Sequence, residues 1–307
     1  HADPEGLSAA LRLDVLMEPA KRNALLASNP FFDRDGVHEI YRKWRKLFDS
    51  YHGRDIMAVA EIWVQPPTRA TLYVRKDELQ QFFNFDVMNS PFESKHLYEN
   101  ISNTLDLVKA EAAWPTWCLS NHDCERVASR IGADAARAMA LFVLALPGST
   151  YIFNGQELGL PTGEMADSDR QDPIYFRTGG KEKGRDGARV PLPWSGDKAP
   201  FGFTTGKPWL PIQDSWRNYT VEAQENDADS SLNLYRRAIA IRKERLIGSG
   251  EIEWLSTDGI LSYRRGPITV ILNTTEENFK LDGEVLLASG EKSDNLPPSS
   301  SVWLLSN

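Results

Sequence analysis

The stretch Trp117-Cys118-Leu119-Ser120-Asn121-His122-Asp123 decides how this chain is read. An apolar run from Pro115 to Leu119 ends abruptly in Asn-His-Asp. That pattern predicts a buried strand over Pro115 to Asp123 that presents polar side chains where it stops. The same grammar occurs at Ile56-Met57-Ala58-Val59-Ala60-Glu61-Ile62-Trp63, where a strand over 56–64 delivers Glu61. Two apolar strands that each end in an acid, with helical sequence between them, imply a parallel βα array with its site at the strand C-termini.

Working outward, apolar positions Val37, Ile40, Tyr41, Trp44, Leu47 and Phe48 fall at three- and four-residue intervals. They predict an amphipathic helix that Gly53 stops. A helix is expected over Lys76 to Gln81, a strand over Phe82 to Met88, and a helix over Ser94 to Ala113. Ala133 to Leu146 is apolar on nearly all sides and predicts a buried helix. A strand over Ser149 to Phe153 follows. Residues 160–215 are rich in Gly, Pro and charge, and are expected to form an ordered excursion, since Arg and Trp content is too high for disorder. Ser230 to Arg245 reads as a strong helix. After Gly248-Ser249-Gly250 come short apolar runs at turn-like spacing, which predict a small all-β domain. The expected division is therefore a βα array of four strand–helix units, with the excursion, over 1–246 and an all-β domain over 247–307.

The 307 residues carry a net charge of −8, which argues against nucleic acid or an anionic membrane as the main partner. No apolar run reaches the roughly 18 residues of a membrane span. Cys118 and Cys124 are the two cysteines. They flank a strand end rather than staple a loop, so reduced, cytoplasmic thiols are expected. With His122 they do not make a zinc site, and no metal or other cofactor is expected. His1-Ala2-Asp3-Pro4-Glu5 has no signal-peptide form, and the chain does not begin with Met; a processed, trimmed or partial chain is expected.

Glu61 reads either as a solvated strand-end carboxylate or as a general acid near apolar groups. Asp123 reads as a helix cap for the following segment or as a functional carboxylate beside His122, itself a structural or a site histidine. Arg185 and Arg189, with Asp186, form an ion network or a substrate clamp. No Gly-x-Ser-x-Gly elbow and no Gly-rich phosphate loop are present.

The stretches Val59-Ala60-Glu61-Ile62-Trp63, Leu119 to Asp123, Asn154-Gly155-Gln156-Glu157-Leu158-Gly159 and Gly184-Arg185-Asp186-Gly187-Ala188-Arg189-Val190-Pro191 resemble the α-amylase superfamily of glycoside hydrolases. Within it, the likeness is to bacterial α-glucosidases and oligo-1,6-glucosidases. The resemblance implies an α/β fold: the second half of a (β/α)8 TIM barrel, strands five to eight, followed by a small antiparallel β-domain. It implies Glu61 as general acid/base, Asp123 as the hydroxyl-binding, transition-state carboxylate, His122 beside it, and Arg185 closing the pocket. The implied chemistry is retaining and metal-free. A glucosyl-transferring isomerase of the trehalose or isomaltulose synthase type would use the same acids, and a catalytically incomplete fragment is the rival from another class. The family's nucleophile pattern, Gly-Phe-Arg-x-Asp, is matched only by Ala10-Leu11-Arg12-Leu13-Asp14. Pro4-Glu5-Gly6-Leu7 offers the competing alignment, which puts the nucleophile before His1. Either way the first three barrel strands are absent, and the partner expected besides an α-glucoside is that N-terminal half.

Overall fold

The computed structural model describes residues 32–62, 64 and 66–306. Trp63, Asp14 and the competing Pro4 to Leu7 alignment lie outside them. The chain divides into two compact units, one holding residues up to Asn84 and Ser102–Thr116, the other Phe85–Ile101 and Trp117–Asn307.

In the first unit the amphipathic pattern gives helix α1 (Gly36–Asp49). Its Val37, Tyr41 and Phe48 pack on a core of Ala60, Val64, Tyr73, Val74, Leu79 and Phe82. Strands β1 (Val59–Ala60) and β2 (Gln81–Phe82) pair parallel, Val59 opposite Gln81 and Ala60 opposite Phe82. The strand expected over 56–64 is thus far shorter. One reason is that the Gln80 side chain accepts from Ala58 N at 2.8 Å, taking a donor that a longer ladder would use. Pro66 then leads into a 3-10 turn over Pro67–Val74.

The helix expected at Lys76 to Gln81 is absent. Glu78 there is fully buried and is bound by His38 Nδ1 at 2.7 Å, Arg42 Nη2 at 3.1 Å and Arg75, so ion pairing fixes the backbone where propensity favoured a helix. The run Phe82 to Met88 is likewise not one strand. After β2 it turns into a short helix, α2 (Asp86–Asn89), that buries Val87 and Met88. A short apolar run is satisfied by either conformation, so periodicity could not separate them. Helix α3 (Ser94–Ala110) follows, its residues shared between the two units.

Strand β3 (Thr116–Cys118), which enters the second unit at Trp117, pairs with β4 (Ser149–Tyr151). Between them lie α4 (Val127–Ile131) and α5 (Ala133–Leu144), the latter buried at Ala135, Ala136 and Ala138 through Leu144. The 160–215 excursion carries short 3-10 turns and one helix, α6 (Pro173–Arg177). Helices α7 (Val221–Glu225) and α8 (Ser231–Arg245) follow, and Ser230 caps α8 by accepting from Asn233 N at 3.2 Å.

The C-terminal runs form an antiparallel sheet ordered β5-β6-β7-β11-β9: β5 (Glu253–Asp258), β6 (Ile260–Arg265), β7 (Ile268–Asn273), β9 (Val285–Ala288) and β11 (Ser300–Leu305). A separate pair, β8 (Phe279–Lys280) with β10 (Asn295–Leu296), has no counterpart in the sequence reading. The sheet packs on α5 through specific polar bonds as well as area. Trp303 Nε1 donates to Leu141 O at 3.0 Å and Tyr263 Oη to Phe142 O at 2.6 Å. Arg265 Nη1 donates to Ala145 O and Leu146 O at 2.9 and 3.0 Å. These donors satisfy carbonyls that the end of α5 leaves open. No helix among the described residues is long and apolar enough to cross a membrane.

Candidate active site

The strand opened by Thr116 ends for local reasons. Asn121 Oδ1 accepts from Asp123 N at 2.9 Å, an Asx turn that breaks the extended conformation. Arg130 Nη2 donates to Leu119 O at 2.5 Å, so a side chain takes the carbonyl that a longer strand would offer a neighbour. Ser120 Oγ accepts from Val127 N at 2.8 Å and anchors the start of α4. Asp123 is therefore not the cap of that helix, which excludes one of its two sequence readings.

Instead the Asp123 carboxylate meets two arginines. Arg185 Nη1 and Arg189 Nη2 each donate to Oδ1 at 2.9 Å, and Arg189 Nε also donates to His122 O at 3.0 Å. His122 Nε2 lies 3.5 Å from the same oxygen, an electrostatic neighbour rather than a hydrogen bond. Asp123 and Arg189 side chains are each 32 % exposed, so the cluster is open to solvent and to a ligand. Arg185 and Arg189 thus sit in an ion network, but with a different partner from the one the sequence suggested. Asp186 does not pair with these arginines: its Oδ2 accepts from the backbone N–H groups of Gln171 and Asp172 at 2.8 and 3.0 Å.

The arginine that reaches Asp123 also reaches a second carboxylate that sequence reading missed. Asp172, 3 % exposed, accepts from Arg185 Nε at 2.7 Å and from Arg185 N at 2.9 Å, both at Oδ2. Its Oδ1 caps α6 by accepting from Ile174 N at 3.1 Å. Burial pushes the Asp172 carboxyl up, but the Arg185 side chain and the two backbone donors outweigh it and hold the group down at about 2. The bond to Asp172, aided by Asp123, raises the Arg185 guanidinium in turn. Asp172-Pro173, an acid followed by a proline at the first helical position, was the readable signal.

Arg126 is the other missed residue. It is 2 % exposed and donates to Asn154 O at 2.7 Å and Ala188 O at 2.8 Å, with its guanidinium over the Phe153 ring at 4.7 Å. It ties the Asn154-Gly155-Gln156 turn to the Arg185–Arg189 segment. Burial lowers its guanidinium to about 10 against the pull of Glu157. Nothing in its sequence neighbourhood announces it.

A cavity of about 720 Å³ opens beside Asp123, bordered by Glu125, Glu164, Arg170, Lys183 and Arg185. Cys124 also lines it, while Cys118 is buried; neither forms a disulfide. Burial chiefly, with Cys124 adding and Arg130 opposing, pushes the Cys118 thiol up to about 12. Glu61 follows β1 in the first unit and is exposed. The residues brought together in the second unit are thus His122, Asp123, Asp172, Arg185 and Arg189. Among the described residues, no group of three or more His, Cys, Asp or Glu side chains is placed to hold a metal ion.

The chain belongs to the alpha-amylase catalytic-domain family, whose model matches residues 9–250. Among curated relatives, a probable alpha-glucosidase of Rhizobium meliloti (strain 1021) is 38 % identical over 180 residues, covering 55 % of this chain and 32 % of that one. An oligo-1,6-glucosidase of Parageobacillus thermoglucosidasius is 26 % identical over 308 residues, covering 83 % and 53 %. Among solved structures, that of the alpha-glucosyl transfer enzyme XgtA superposes with a TM-score of 0.75 at 28 % identity, covering 89 % of this chain and 55 % of that one. The chain therefore spans about a third to a half of the length of these curated relatives.

Proposed function

We propose that the chain carries part of the active site of a retaining α-glucosidase that hydrolyses α-glucosidic bonds of short gluco-oligosaccharides. The observation that carries this reading is the Asp123 carboxylate held by Arg185 and Arg189 at the mouth of a cavity, in a chain of the alpha-amylase family. In this reading Glu61 protonates the glycosidic oxygen as the leaving group departs, then deprotonates the water that releases the sugar. A separate carboxylate attacks the anomeric carbon and forms the covalent glycosyl-enzyme. That nucleophile is Asp14 or a residue preceding His1, both outside the described residues. Asp123 accepts from sugar hydroxyls and stabilises the positive charge that develops on the ring, and His122 stands beside it. Arg185 closes the pocket. None of these steps calls on a metal or other cofactor.

The same reading makes residues 1–246 the second half of a (β/α)8 barrel and 247–307 a β-domain. It makes the remaining half of the barrel the partner, in the same protein or as an associated piece. Ile40, Trp44, Leu47 and Tyr51, all exposed and spaced along and just beyond one side of α1, are the kind of surface that half would cover. A cytoplasmic setting, where Cys118 and Cys124 stay reduced, belongs to the reading as well. Transfer of glucosyl groups is the second reading, favoured by the likeness to the α-glucosyl transfer enzyme.

The test is release of p-nitrophenol from p-nitrophenyl α-glucoside by the chain, alone and joined to the first half of an oligo-1,6-glucosidase. The expected result is turnover only in the joined form, and a fall of about 10²–10⁴-fold in Glu61→Gln. Robust turnover by the 307-residue chain alone refutes the partner reading. Unchanged turnover in Glu61→Gln refutes the assignment of the acid. Sucrose or maltose as acceptor separates hydrolysis from transfer.

A further inference from the structure

Arg185 bridges two carboxylates: Nη1 donates to Asp123 Oδ1 at 2.9 Å and Nε to Asp172 Oδ2 at 2.7 Å. The two acids differ sharply in setting. The Asp123 side chain is 32 % exposed on the cavity, whereas that of Asp172 is 1 % exposed. We propose that Asp172 is a positioning residue of the glucosidase site: it locks the Arg185 guanidinium so that Asp123 is gripped through Oδ1 alone and presents Oδ2 to a sugar hydroxyl. This rests on the glucosidase reading given above.

Three observations carry it. Among the described residues, the arginine bonds to the Asp123 side chain all arrive at Oδ1, which leaves the second oxygen for substrate. An unrestrained arginine keeps much rotamer freedom, so fixing its Nε and its own backbone N–H on one carboxylate presets where its far end lies. The backbone is also built to let this happen. Gly184 has φ +73°, and a Cβ there would stand 2.7 Å from Asp172 Cβ and 2.9 Å from its Cγ, so only glycine lets Arg185 N approach Oδ2. From the opposite direction, Asp186 holds the Gln171 and Asp172 N–H groups, so the 171–172 and 184–186 segments grip each other reciprocally.

The test is a double-mutant cycle on the full chain in the catalytically competent form: Asp172→Asn, Arg185→Ala and both together. Asparagine caps a helix about as well as aspartate, so the bond to Ile174 N survives and the fold is spared. Asp172→Asn should lower kcat by about 10–100-fold with KM within about threefold, because a sub-ångström misplacement costs most where charge develops. On the Arg185→Ala background Asp172→Asn should cost no further activity, since its effect runs through that arginine. There it should raise Tm, because Arg185→Ala leaves a buried carboxylate unpaired. A full additional loss of activity on that background assigns Asp172 a merely structural role and overturns the proposal. So does wild-type kcat in Asp172→Asn. Labelling of Arg185 by phenylglyoxal, read by mass spectrometry, decides independently of turnover: Asp172→Asn should be modified several-fold faster, and an unchanged rate overturns the lock. If no form of the protein turns over an α-glucoside, the glucosidase reading fails, and the labelling arm alone decides whether Asp172 holds Arg185.

Discussion

Gly187→Ala is the sharpest perturbation of the loop that carries both arginines. A Cβ at 187 would stand 2.6 Å from Gly163 O and 2.7 Å from Thr162 Cγ2. The first neighbour is backbone, and it is not free to move. Gly163 N donates to Gly187 O at 2.8 Å, and Thr162 Oγ1 accepts from Arg126 N at 2.8 Å. Gly163 is itself crowded, since a Cβ on it would fall 2.6 Å from Val190 Cγ1. Real Cβ atoms hardly ever come closer than 3.0 Å to another heavy atom, so the 163–187 contact must open by at least about 0.4 Å. Overpacking of this kind costs about 1–3 kcal/mol. At roughly 2–4 °C per kcal/mol, Tm should fall by several degrees. Arg185 and Arg189 lie two residues to either side, and their 2.9 Å bonds to Asp123 have little slack before they weaken. Turnover should therefore fall by about 10-fold or more, disproportionately to the stability lost. Amide exchange across 184–190 should quicken. Gly250→Ala is the control, because nothing lies within 4 Å of a Cβ there and it should behave as wild type. A Gly187→Ala protein that matches the control in Tm, exchange and turnover would refute the claim that this approach sets the arginine clamp.

Other consequences follow from the same geometry. Arg126→Met removes the donors to Asn154 O and Ala188 O and should cost about 2–4 kcal/mol, measured by urea unfolding; Arg126→Lys, which lacks the fork, should recover only part of it. The Asp172 carboxyl is held at about 2 against an ordinary value of 3.8. Between those values the unfolded chain binds more protons than the folded one, so this stabilisation is complete above about pH 4 and is lost as pH falls through 2. Unfolding followed at pH 2 to 5 should show wild type losing on the order of 1–2 kcal/mol more than Asp172→Asn over that window, and parallel curves would remove the linkage. Trp44→Glu combined with Leu47→Lys replaces apolar side chains that are 48 % and 54 % exposed, so it should reduce self-association of the isolated chain in light scattering without lowering its Tm. A lowered Tm would mean that those residues belong to the first unit's core.

What could be read beforehand tracks how local each determinant is. Helix α1, the buried α5 and the capped α8 announce themselves through period, composition and a Ser cap. The C-terminal sheet does so through apolar runs separated by turns. Apolar runs overstate strand length because apolarity reports burial and not the ladder. At Ala58 and Leu119 the backbone group goes to the side chains of Gln80 and Arg130, partners 22 and 11 positions away. The failed helix at Lys76 to Gln81 has the same origin, since Glu78 is captured by His38, forty positions earlier. The site divides along this line too. Asp123, Arg185 and Arg189 sit in motifs that could be quoted as sequence. Asp172 meets Arg185, and Arg126 meets Asn154 and Ala188, across 13 to 62 residues of chain. The visible motif thus supplies the groups that face the cavity, while their orientation depends on long-range partners that no local pattern encodes. A homologue that keeps Arg185 but lacks an acid at 172 should therefore hold a looser clamp, even with its motifs intact.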